Sequence, residues 1–259
     1  MDTNPSFVKR NSLLIFFIIA YGLSWGSFFL LDGPFFFPIG ALVAAFIVAG
    51  FTGGLRDLLS RMFRWRVGIP WYIAAFLVPV AIALAAVAIN LLLGASMSTG
   101  SKAGPWYSLF LLFPVALIDA PFWEETGWRG FALPRFSANR SPLFNTVILG
   151  VLLAGWHLPI ALSESTITVP YVIGAFSSAF ATNWIYYNTR GSALLPMLYH
   201  SAANTVGPYF FRMFSGPEQV SYFWLLTGMT LVAGIVLVAV TGPSLQHRGS
   251  RLVENAPVV

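Results

Sequence analysis

Apolar residues gather along this chain into eight runs, roughly 12–31, 35–52, 71–94, 105–123, 142–161, 169–187, 192–211 and 221–241, with short polar stretches between them. Each run comes near the ~20 largely apolar residues that a helix needs to cross a bilayer's hydrocarbon core. The second and sixth are short or rich in small residues, so their ends are less sharply set. The pattern predicts an all-α, polytopic membrane helix bundle of about eight transmembrane helices. Residues 12–241 form the bundle, 1–11 a cytoplasmic N-terminal tail, and 242–259 a Pro- and Gly-containing cytoplasmic tail expected to be disordered. Small residues such as Gly40, Ala44 and Ala45 suit close helix packing.

Composition agrees. With 57% hydrophobic and 9% charged residues, a chain of 259 residues carries more apolar surface than one soluble core can hide. The basic residues test the span count separately, because cytoplasmic loops collect Lys and Arg. Lys9 and Arg10 precede the first run, and Arg56, Arg61, Arg64 and Arg66 follow the second. Arg129, Arg135 and Arg140 follow the fourth, Arg190 the sixth, and Arg248 and Arg251 the eighth. Only Lys102 and Arg212 fall on the other face. Both termini are therefore expected in the cytoplasm. The net charge of +5 follows from topology, and positives scattered over loops give no nucleic-acid footprint.

The first run follows two basic residues, as a signal peptide's would, but it exceeds the usual 7–15 apolar residues and has no Ala-x-Ala-like site before Asp32. It reads as a retained helix. The chain has no cysteine, which removes disulfides, thiolate ligands and a Cys nucleophile. Gly22-Leu23-Ser24-Trp25-Gly26 matches a serine-nucleophile pattern, yet that motif works at a strand-to-helix turn, and here it lies inside a span. Its glycines read instead as a G-x-x-x-G helix-packing signature.

Against this apolar background the polar residues at membrane depth are few: Asp119, Glu124, Glu125, Arg129, His157, His200 and Asn204. Such groups cost about 2.5–3.5 kcal/mol each on insertion scales and mark function by default. Glu125 and Arg129, four apart on a helix, share a face in the favourable order for an ion pair. Glu124 points about 100° away and lacks a local partner. Desolvation raises the proton affinity of such a carboxylate, which suits a general base. His157 alone reads as an ordinary core histidine. His200 and Asn204, also four apart, read alone as an interhelical hydrogen-bonding pair worth about 0.6 kcal/mol per contact. Taken together, three helices supply a carboxylate, two imidazoles and a carboxamide, the parts for hydrolysis.

Glu124-Glu125-x-x-x-Arg129, then His157, then His200-x-x-x-Asn204, with the wording Glu-Glu-Thr-Gly-Trp-Arg-Gly-Phe, resembles the CAAX-protease and bacteriocin-processing family of intramembrane proteases, also called CPBP or Abi. The motif-bearing stretch is about 115–210. One position departs: the family's Phe-x-x-x-His has Leu153 in place of Phe. The resemblance implies cleavage of a peptide bond in a membrane-associated protein or peptide. Glu124 and His157 would activate a water, His200 and Asn204 would stabilise the oxyanion, and Glu125 and Arg129 would support them. A site opening toward the cytoplasmic side is expected. The short chain looks like a bacterial member, and its Ala-Pro-Val-Val end is not itself a CaaX tail.

The family is described both as glutamate proteases and as metalloproteases. Glu124, His157 and His200 match a His₂Glu set for zinc or another divalent metal, though without H-E-x-x-H spacing. If Glu124 were a ligand, Glu125 would have to serve as base, which would break its pair with Arg129. Two other classes use intramembrane polar groups. A proton-coupled transporter would show inverted repeats and broken helices in matching halves, and neither is apparent. A non-catalytic immunity or scaffold protein would not need an intact set of Glu, His, His and Asn.

Overall fold

The computed structural model describes residues 7–31, 37–136, 139–163 and 165–246. These residues form helices and turns with no strand among them. Of the cytoplasmic tail expected at 242–259, residues 247–259, with Arg248 and Arg251, lie outside the described residues, as do residues 1–6, whereas Gly242–Ser244 form a 3₁₀ turn and Leu245 is buried, not disordered as expected. A short α1 (Phe7–Arg10) leads into α2 (Ser12–Leu30), followed by α3 (Gly40–Thr52), the small α4 (Leu55–Met62) and α5 (Ile69–Leu92). Then come α6 (Ser108–Asp119), α7 (Pro121–Glu125), a π-helical stretch Thr126–Ala132 and a 3₁₀ turn Leu133–Arg135. The chain closes with α8 (Pro142–Trp156), α9 (Leu158–Ser163), α10 (Thr168–Asn188), α11 (Leu194–Phe211) and α12 (Gly216–Thr241).

Ser12–Leu30, Ile69–Leu92 and Gly216–Ser244 are long and apolar enough to cross a membrane, and α3, α6 and α8 are shorter apolar helices. α10 and α11 have the length, 21 and 18 residues, and carry polar side chains inward instead. Much of α12 faces outward, with Val232, Ile235, Val236 and Val240 exposed, as expected where the surrounding solvent is lipid. α11 packs on α5 and α6, α10 on α8 and α12, and α3 on α2 and on the π-helical stretch.

The loops sort by charge at the two ends. Arg64 donates to the Arg190 carbonyl and Arg190 to that of Arg66. The Ser192 hydroxyl bonds the Arg64 carbonyl at 2.7 Å, and the Ala193 amide bonds that of Arg61 at 3.0 Å. α4 is held there by Arg61, which donates to Asp57 at 3.0 Å and to the Tyr186 hydroxyl at 2.8 Å. At the opposite end the Ser98 amide bonds the Met213 carbonyl at 2.9 Å, and Ser101 bonds that of Arg212 at 3.2 Å.

Three expectations about the spans need correction. The run 105–123 does not end beside the basic loop. It breaks at Ala120, before Pro121, and continues inward through the π-helical stretch, every residue of which is buried. Arg129, expected among the loop cations, is therefore a core residue at 2% exposure. The run 142–161 likewise breaks at His157, where α8 ends and the short α9 begins at Leu158 with Pro159 in its first turn. Finally, Gly22 and Gly26 face open space and pack nothing, so the G-x-x-x-G reading fails. The close approach in α2 is made by buried Ser24, whose hydroxyl bonds the Phe37 carbonyl at 2.8 Å. A Cβ on Gly40 would stand 2.5 Å from that hydroxyl oxygen.

Candidate active site

The stretch that begins at Pro121 is shaped by what it packs against. A Cβ on Gly127 would stand 2.7 Å from the Ala41 Cβ and 2.8 Å from the Ala41 carbonyl oxygen, so only glycine lets the chain lie this close to α3. Trp128 stacks on Phe17 and meets Phe16 and Trp156 edge-on, with ring centroids 5.3–6.0 Å apart. Phe131 stacks on Phe16 at 5.0 Å. These anchors fix the helical register and so send the two carboxylates in different directions. Single π-helical turns inside α-helices are uncommon and often lie at functional sites.

Glu125 points into the bundle and is paired there, with both of its hydrogen bonds falling on Oε1. Arg129 lies 3.0 Å from its carboxylate, and the His200 Nδ1 lies 3.0 Å from Oε1. The guanidinium is held on its other sides by α10, with Nε donating to Asn183 at 2.8 Å and a terminal nitrogen to Thr182 at 2.5 Å. Asn183 in turn donates to Thr146 on α8 at 3.0 Å. Five helical segments are thus joined through one buried chain of polar contacts. The expected Glu125–Arg129 pair is present, and His200 belongs to it as well.

Sequence reasoning missed Thr146, Thr182 and Asn183. A signal for two of them existed, since an arginine has five donors and one carboxylate leaves most unserved, while Thr182 and Asn183 are adjacent hydrogen-bonding residues within a predicted span.

Glu124 faces the other way, 4% exposed, with Oε2 3.8 Å from the His157 Nε2. His157 caps α8, and its Nδ1 lies 2.9 Å from the Leu153 carbonyl. A carbonyl can only accept, so Nδ1 carries the proton and Nε2 is the nitrogen turned toward Glu124. The ring is braced edge-on by Trp156 at 4.8 Å and by Tyr171 at 5.9 Å. Because position 153 serves through its backbone, Leu153 in place of the Phe of the resembled motif leaves that contact intact. Similarly, Glu125 bound to Arg129 accepts from His200 Nδ1–H, which leaves Nε2 of His200 for other partners. Asn204, one turn along α11, is exposed, and Asp119 at the end of α6 is exposed as well.

The accessible members of the group are His157 at 16%, His200 at 22% and Asn204, whereas Glu125 and Arg129 are sealed. The buried π-helical stretch closes the basic end, and His157 stands 15 residues along from the start of α8, about 22 Å of helical rise from the basic loop.

The possible metal set of Glu124, His157 and His200 does not fit one. Zinc requires three such ligands about 2 Å from a common point, and no group of three His, Cys, Asp or Glu side chains converges among the described residues.

Comparison with known proteins bears on this stretch directly. Residues 105–206 match the family model described as type II CAAX prenyl endopeptidase Rce1-like. The chain is also 22% identical over 163 residues to CAAX prenyl protease 2 of Methanococcus maripaludis, an alignment covering 58% of this chain and 60% of that protein. All the residues described above as the candidate site lie within the matched 105–206. Residues 105–206 are thus similar to the CAAX-protease, or CPBP, family, and the order and spacing of Glu124-Glu125-x-x-x-Arg129, His157 and His200-x-x-x-Asn204 agree with that likeness.

Proposed function

We propose that this protein is an intramembrane endopeptidase that hydrolyses a peptide bond of a membrane-associated protein or peptide, in a multi-pass fold with the basic loops and both termini cytoplasmic. The observation that carries the reading is the 3.8 Å separation of Glu124 Oε2 and His157 Nε2, too long for a hydrogen bond and suited to one water shared by both.

In this reading the water attacks the scissile carbonyl and gives its proton to Glu124, while His157, its tautomer fixed by the Leu153 carbonyl, orients the water through Nε2. The tetrahedral oxyanion accepts from the Asn204 amide and from His200 Nε2. His200 already donates through Nδ1 to Glu125, so a second donation requires the doubly protonated ring, which Glu125 is placed to stabilise. Glu124 then passes its proton to the leaving amine. Glu125 and Arg129 position His200 and take no part in proton transfer. Water reaches the group on the side where His157, His200 and Asn204 are accessible.

The test compares new peptide termini in membranes from cells carrying the wild-type chain or Glu124→Gln at equal abundance. Termini that appear only with the wild type are expected. Identical termini, with both proteins folded, would return the chain to a binding or transport role. For the oxyanion pair, His200→Ala and Asn204→Ala should lower turnover more than substrate affinity, and a loss confined to affinity would remove that assignment.

A further inference from the structure

Away from the Glu124 and His157 group, a groove of about 690 Å³ lies at the basic end of the bundle, between the beginning of α2 and the body of α8. Among the described residues, Lys9, Arg10 and Arg135 line it together with Leu13, Phe17 and Leu152, and no carboxylate does. The two sets of residues are separated along the membrane normal. The cations come from the loop end, whereas Leu152 lies about 15 Å of helical rise beyond Pro142, the first residue of α8. Arg135 is fixed in place, with its guanidinium 3.7 Å over the Phe131 ring and bonded to the Phe131 carbonyl at 2.8 Å. Burial pushes that guanidinium below its ordinary value, and Asp57, the carboxylate acting on it from outside the groove, is itself bound to Arg61 at 3.0 Å. A partly desolvated cation in this position favours an anion beside it.

We propose that this groove is a binding site for an anionic phospholipid, whose phosphate lies among Lys9, Arg10 and Arg135 and whose upper acyl chain runs along Leu13, Phe17 and Leu152. Guanidinium groups present paired donors that match phosphate oxygens. Basic pockets between helices at the cytoplasmic face take such head groups. A soluble phosphate would leave the apolar wall unmatched, and a zwitterionic lipid would bring its own cation against three others. The groove wall is firm, because Tyr21 donates to the Leu152 carbonyl and Trp25 Nε1 to the Trp156 carbonyl at 3.0 Å. The site is independent of the endopeptidase reading.

Native mass spectrometry and thermal unfolding of the full chain in detergent, titrated with phosphatidylglycerol or phosphatidylcholine, would test it. Lys9 and Arg10 are exposed, so the double substitution Lys9→Gln with Arg10→Gln leaves the core untouched. Phosphatidylglycerol should bind in preference to phosphatidylcholine. The preference should weaken roughly tenfold or more in the double variant and persist in Arg56→Gln, an exposed cation at the same end outside the groove. Millimolar inorganic phosphate should not compete. Equal binding of the two lipids, an unchanged preference in the double variant, an equal loss in Arg56→Gln, or full competition by phosphate would each overturn the proposal.

Discussion

Glu124 and Glu125 are neighbours in sequence and opposites in surroundings. Glu125 has Arg129 and His200 at 3.0 Å, and behind Arg129 stand Thr182, Asn183 and Thr146. Glu124 has His157 at 3.8 Å across a gap, on the side where the group is accessible. One carboxylate is held in a closed network that fixes where its neighbours point. The other is set against a histidine whose remaining nitrogen has been fixed elsewhere. A carboxylate paired with a buried cation positions its neighbours, and one that faces a histidine across a gap is available for chemistry.

The largest effects come from exchanging the two. Glu124→Gln should reduce turnover by about 10²- to 10⁴-fold while leaving thermal unfolding nearly unchanged, since the carboxylate has no buried counter-charge to abandon. Glu125→Gln or Arg129→Ala should do the reverse in order. Removing either partner leaves a buried charge unpaired at a cost of about 3–5 kcal/mol, seen as loss of folded protein from the membrane. Turnover and melting temperature measured on all three variants decide the matter. If Arg129→Ala folded normally and were inactive, the division drawn between the two carboxylates would be wrong and Arg129 would join the reacting group.

A smaller effect tests how far the closed network extends. Asn183→Ala removes the acceptor of Arg129 Nε and a donor to Thr146, and a hydrogen bond to a charged group is worth about 1.5–3 kcal/mol. The melting temperature should fall accordingly. His200 should keep its place through Glu125, so turnover of the folded fraction should change little. A large fall in turnover at unchanged stability would make Asn183 a positioning residue for His200. Next in size is Gly127→Ala. Its added Cβ meets backbone and side chain of Ala41 within 3 Å, where neither can yield cheaply, and overpacking of this kind costs about 1–3 kcal/mol. A variant as stable as the wild type would show that α3 and the π-helical stretch can separate without loss.

The same contrast explains what could be read from the sequence. The all-helical character of the chain was legible because hydropathy reports on the bilayer, a solvent common to every apolar run. Glu125 with Arg129 was legible because a four-residue spacing on a helix is local. The breaks at Ala120 and His157 lie beside Pro121 and Pro159, punctuation that a hydropathy run passes straight through. Thr146, Thr182 and Asn183 carry no charge and no distinctive spacing. Their role exists only because Arg129 turns inward, a consequence of the chain continuing past 123. Gly22 and Gly26 erred in the other direction, as a spacing that suits packing does nothing when it faces no helix.

The smallest expected effect concerns Leu153. It is 3% exposed and packs in the central cluster with Trp128 and Trp156, and its carbonyl holds His157 Nδ1 at 2.9 Å. Leu153→Phe restores the aromatic residue of the related motif without touching that carbonyl. The larger ring must be accommodated by its neighbours, so a modest loss of stability, at most about 1–3 kcal/mol, is expected. Turnover should change less than about threefold, because a shift worth 1.4 kcal/mol in the barrier would be needed for a factor of ten and the hydrogen bond that sets the tautomer is unaltered. Turnover and melting temperature measured side by side separate the two contributions. A rate change beyond tenfold at constant melting temperature would mean that the side chain at 153 shapes the gap between Glu124 and His157. The positioning of His157 would then extend from its backbone acceptor to the packing behind it, and the line between the closed and the open halves of the site would run through α8 itself.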